Sequence, residues 1–119
     1  MSYDIKFKVR VADTDAYITV KESDANITWN VREIIKNSTG LPWINEANNG
    51  LCLDVIPKIQ EGITELVRNG EKYKTYEPDN KWGSVEGTVR FFRTIVSDWN
   101  DFVVSNDPAV VAVTTFWVV

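Results

Sequence analysis

A chain of 119 residues that is 44% hydrophobic and 25% charged has the composition of an ordinary globular protein, and its length predicts a single domain over residues 1–119. The 13 basic and 17 acidic side chains leave a formal net charge of -4, which argues against duplex nucleic acid, whose affinity comes from basic patches that release counterions. Histidine is absent, which excludes a Ser-His-Asp triad and removes the commonest general base and metal ligand. The one cysteine, Cys52, has no intramolecular disulfide partner.

The first segment alternates. Tyr3, Ile5, Phe7, Val9 and Val11 fall on one face and Asp4, Lys6, Lys8 and Arg10 on the other, which predicts a strand with one buried face. Asp13-Thr14-Asp15 reads as a turn, and Tyr17 to Lys21 as a returning strand with Ile18 and Val20 inward. A second turn is expected at Ser23-Asp24-Ala25-Asn26. Beyond it, Ile27, Val31, Ile34 and Ile35 have the spacing of an amphipathic helix, with Asn26 or Thr28 as its cap and Gly40 just past its end. Leu41 to Gly50 is read as an Asn-rich loop with Trp43 and Ile44 against the body. Asn45 to Gly50 superficially suggests a calcium loop, but Ala47 and Ile56 occupy two positions that need oxygen ligands.

A second helix is predicted over Leu51–Asn69, with Ile56, Ile59, Ile63, Leu66 and Val67 as its apolar stripe. Pro57 points to Asp54 as the cap or to a kinked entry, and Gly70 is expected to end the helix in a left-handed conformation. Cys52, between Leu51 and Leu53, reads as a small buried hydrophobe. After a polar, aromatic-rich connection, Ser84 is expected to cap a third helix reaching Asn100. Val85, Val89, Phe92, Ile95, Val96 and Trp99 would face inward, with Arg90, Arg93 and Asp98 outward. Asn106-Asp107-Pro108 reads as a turn and Ala109–Val119 as a strand. The order β-β-α-α-α-β predicts an α+β domain: a small antiparallel sheet with three helices on one face. No apolar stretch approaches the ~20 residues that span a bilayer, and no hydrophobic leader opens the chain, so a cytoplasmic protein without a membrane segment is expected.

No glycine-rich phosphate loop, nucleophile elbow or metal-ligand spacing occurs, so no catalytic residue, metal or cofactor is assigned. Two constellations remain. Asn26, Thr28 and Asn30 place hydrogen-bonding side chains in an apolar setting; they read as helix caps, or as a polar ligand pocket completed by Asn80, Trp82 and Glu86. Both rows of the terminal strand are apolar. If the row holding Trp117 is the outer one, it joins Lys6, Lys8, Arg10 and Tyr17 in an interface for a homodimer or a partner protein.

The segments Asn26-Ile27-Thr28-Trp29-Asn30, Val55-Ile56-Pro57 and Asn80-Lys81-Trp82-Gly83 resemble a loosely defined family of small bacterial and bacteriophage-encoded proteins. The resemblance implies provenance and no chemistry. It departs at Lys81, where glycine is the pattern; a turn with positive φ there would strain a lysine. Three functions follow from these readings: a non-enzymatic protein-interaction module, a small-ligand binding domain using the Asn/Thr/Trp cluster, or an enzyme with unfamiliar Asn/Asp/Tyr chemistry.

Overall fold

The computed structural model describes residues 2–119. Strand β1 (Ser2–Arg10) keeps the predicted alternation through Phe7, burying Tyr3, Ile5 and Phe7, whereas Val9 is only partly buried and Val11 lies exposed past the strand's end. A turn held by Val11 N–H donating to Ala16 O leads into β2 (Tyr17–Thr28), which runs 12 residues, straight through the expected turn at Ser23–Asn26. The turn-forming residues are spent on irregularities in the pairing with β1 instead. The register slips between Asp4 and Lys6 and again between Phe7 and Lys8, and the bulged residues increase local twist. The polar groups freed at the first slip are taken up by Asp98, whose carboxylate accepts from Ser23 Oγ at 2.6 Å and Asp24 N–H at 2.9 Å. Asp98 therefore faces the sheet rather than pointing away. Ile18 and Val20 are exposed rather than buried: Ile18 lies opposite Val9 near the turn of the hairpin, and Val20 falls at the second slip in register.

Thr28 caps a 3-10 turn (Trp29–Val31) that continues into α1 (Arg32–Thr39), so the helix starts later than its stripe suggested. Gly40 ends it in the left-handed region, φ 74°, as expected. The Asn-rich loop contains a strand, β3 (Ala47–Leu51). Its asparagines fold it locally: the Asn49 side chain accepts from Ile44 N–H and donates to Ile44 O and Ala47 O, and Asn48 Oδ1 accepts from Gly50 N–H. Trp43 packs on the core while Ile44 stays exposed.

Helix α2 (Cys52–Arg68) buries Cys52, Val55, Ile56, Ile59, Gly62 and Leu66 and leaves Val67 exposed. Asp54 is not its cap; Leu51 holds that position without a side-chain bond, and the Cys52 N–H donates to Thr114 O instead. Gly70 does not terminate α2 but opens α3 (Gly70–Tyr73) with ordinary negative φ, Asn69 having ended the longer helix. Ser84 Oγ accepts from Gly87 N–H at 2.9 Å and caps α4 (Val85–Ser105), which outruns its expected end because Phe102 continues the stripe of Ile95 and Trp99.

The terminal segment is divided. Asp107 accepts from Ala109 N–H, Pro108 occupies the first turn, and residues read as strand form α5 (Pro108–Val113). Only Thr115–Val118 is strand, β4. The four strands pair antiparallel in the order β2-β1-β4-β3, with the α+β architecture expected but a third strand inserted between the first two helices. The buried rows of β1 and β4 form one cluster with the inward faces of α1, α2 and α4, including an edge-on contact of Phe7 with Trp99 at 5.4 Å.

Candidate functional site

The helices occupy one side of the sheet and leave the other open. In β4, Phe116 and Val118 are fully buried, so period-two alternation turns Thr115 and Trp117 outward. Register then assembles the predicted face: Lys6 lies opposite Trp117, Lys8 opposite Thr115 on one side and Thr19 on the other, and Arg10 opposite Tyr17. Trp117 is half-buried beneath its neighbours. The Lys8 ammonium sits 4.3 Å from the ring centroid, the Tyr17 ring 5.2 Å away, and Trp117 Nε1 donates to Thr115 Oγ1 at 2.8 Å. Asn48, from the unforeseen strand β3, lies opposite Trp117 and donates to Tyr17 Oη at 3.3 Å. Lys6, Lys8, Arg10, Tyr17 and Trp117 are thus on one surface. The terminal strand offers no free edge, because β1 and β3 flank it on both sides.

The polar residues Asn26, Thr28 and Asn30 are spread over two structural tasks. Asn26 lies in β2, not at a helix start, and its amide donates to Ser2 Oγ, Tyr3 O and Asp4 Oδ1. Thr28 Oγ1 accepts from Asn30 N–H as the cap of the 3-10 turn. Asn80 Oδ1 accepts from Trp82 N–H within its own turn, in which Lys81 has φ 62°. Gly83, φ 113°, then brings that turn against Thr28, Asn30 and Val31. The two motif segments therefore pack on each other. Trp82 remains 69% exposed, and Glu86 lies elsewhere, 3.6 Å from the Lys74 ammonium. Of the six residues, Asn26 alone lines the shallow cleft beside the start of α4, a space of about 390 Å³ shared with Asp24, Gly87 and Arg90.

A larger groove, about 720 Å³, opens where α2 ends and α3 begins, against the first turns of α4. Sequence reasoning missed it because its walls come from separate helices; the exposed pair Arg90 and Arg93 on α4 was the only local signal. Beside it, Tyr73 Oη donates to Glu65 Oε1 at 2.8 Å and pins α3 to α2. Burial, then this bond to a carboxylate, pushes the Tyr73 phenol up to about 12, and the same bond, as its main cause, holds Glu65 below the usual carboxylate range.

Cys52 is fully buried, and burial pushes its thiol up, away from the thiolate form that reacts. Among the described residues no group of three or more Cys, Asp or Glu side chains is placed to hold a metal ion, and no helix is long and apolar enough to cross a membrane. Compared with known proteins, the chain matches no family model, no curated protein and no solved structure.

Proposed function

We propose that this chain is a non-enzymatic interaction module that docks a protein surface, either a second copy of itself or a different protein, on the open face of its sheet. The observation that carries this reading is Trp117, half-buried at the centre of the sheet face that the helices leave uncovered, flanked by Tyr17 and the Lys6, Lys8 and Arg10 row. Aromatic anchors ringed by polar side chains dominate protein interfaces, and lysine and arginine stems lie over apolar surface while their charges stay wet. The sheet is already paired on both sides of β4, so docking is face-on and not by strand addition at Trp117. The polar Asn/Thr cluster gives less support to a ligand pocket, because the side chains of Asn26, Thr28 and Asn80 already bond to neighbouring strand and turn atoms. The resemblance of the Asn26–Asn30 and Asn80–Gly83 segments supports a bacterial or bacteriophage source, and a reduced, buried Cys52 suits a cytoplasmic setting.

Sedimentation velocity over a range of protein concentrations tests the reading against Trp117→Lys. The expected result is a concentration-dependent dimer that the substitution abolishes while the circular dichroism stays native, since the indole faces outward. A wild-type protein that remains monomeric at millimolar concentration removes the homodimer, and a Trp117→Lys variant that no longer folds makes Trp117 a stabilising residue rather than a docking one.

A further inference from the structure

We propose that the groove between α2 and α4 binds a small amphipathic organic anion, its phosphate or carboxylate group held by Arg68 and Arg93 and its apolar body lying on Val67, Val85 and Val89. The groove's volume of about 720 Å³ lies within the roughly 300–1,000 Å³ of small-molecule sites. Its floor is apolar: Leu66, Val85 and Val89 contribute buried side chains, and Val67 is 60% exposed although the α2 stripe would have placed it in the core. An exposed valine continuous with a valine floor gives a ligand apolar surface to cover.

The charge around this floor is opposite to that of the chain. Five cations line the groove (Arg68, Lys72, Lys74, Arg90, Arg93) with two carboxylates (Glu71, Glu86), a local balance of +3 in a protein of formal charge -4. Both carboxylates are engaged by Lys74, at 3.3 and 3.6 Å. Among the described residues Arg68, Arg90 and Arg93 form no ion pair, although acidic side chains outnumber basic ones in the chain. Guanidinium groups that form no ion pair beside an apolar floor match a ligand with one anionic end, and the planar fork of arginine binds carboxylate or phosphate through two parallel hydrogen bonds. The groove lies among the helices, on residues distinct from those of the Trp117 sheet face, so the two sites are independent.

The test uses the full chain and three probes: anilinonaphthalene sulfonate as the amphipathic anion, N-phenylnaphthylamine as its neutral counterpart, and inorganic phosphate. One saturable site is expected for the anion, with amide shift changes at Val67, Gly70, Val85 and Val89 in nuclear magnetic resonance spectra of wild type. Binding of the neutral counterpart, and of the anion to Arg68→Gln or Arg93→Gln, should be about tenfold weaker, the loss typical of one charge-assisted hydrogen bond. Lys8→Gln or Arg10→Gln, each of which removes equal charge from the sheet face, should leave anion affinity unchanged. Competition by phosphate at millimolar concentration identifies the anionic end as the shared element; a site that phosphate does not reach and that binds both dyes equally overturns the proposal. Shift changes centred outside the groove, or equal weakening by the sheet-face variants, also overturn it.

Discussion

Replacing Gly83 with alanine tests how the turn before α4 is locked to the end of β2. At φ 113° Gly83 occupies backbone space that side-chain-bearing residues rarely enter, which costs about 1–3 kcal/mol. A Cβ there would also stand 2.8 Å from Val31 Cγ1 and 3.3 Å from Thr28 Cγ2. Val31 is fully buried and has no solvent side to move toward, so overpacking adds about 1–3 kcal/mol. Reduced freedom of the unfolded chain returns about 0.4–1 kcal/mol. The net loss expected is about 2–4 kcal/mol, a large share of the roughly 5–15 kcal/mol that holds a domain of this kind. Gly40→Ala is the control: it has positive φ, 74°, but nothing within 4 Å of its Cβ position, so it should lose no more than about 1–1.5 kcal/mol. Urea unfolding of both variants, followed by tryptophan fluorescence, gives the difference from the midpoints at unchanged slope. Equal midpoints for the two variants would refute the close approach of Gly83 to Val31.

Two further outcomes follow from particular bonds. Asp98→Ala strips the bulge of β2 of the carboxylate that binds Ser23 and Asp24, and should destabilise the protein by about 1–3 kcal/mol in the same urea assay; full stability would mean that water replaces both bonds without loss. For Tyr73, a phenol raised to about 12 in the fold contributes stability that is complete below its unfolded value near 10 and is lost as pH rises toward 12, while the lowered Glu65 contributes stability above the usual carboxylate range that is lost as pH falls through its folded value. Thermal unfolding of Tyr73→Phe against wild type should therefore show a shallower decline at both ends of the pH range, and parallel curves would show that the bond does not persist in solution.

Elements whose signals are local were legible from the residues. The alternation of Tyr3, Ile5 and Phe7, the stripes of α2 and α4, the Ser84 cap and the Gly40 terminus each depend on a few neighbouring side chains, and, the exposed Val67 apart, each is where the pattern placed it. One local signal was available and outweighed: Asp107-Pro108 starts a helix, and its cap overrides the β-branched residues Val110, Val111 and Val113. Tertiary structure decided the rest. Ser23–Asn26 has the composition of a turn, and only Asp98, 75 positions further along the chain from Ser23, makes it a bulge within a continuous strand. Asn48 and Leu51 become strand only because Trp117 and Thr115 arrive beside them, and a polar Asn-rich segment carries no period-two pattern to announce it. The outward turn of Trp117 was likewise invisible, since both rows of Thr115–Val118 are apolar or aromatic and either could have been buried. Phe116 settles the choice: its ring is held between Phe7, at 6.3 Å, and Trp43, at 5.3 Å, and one residue of register then turns the indole of Trp117 to the open face.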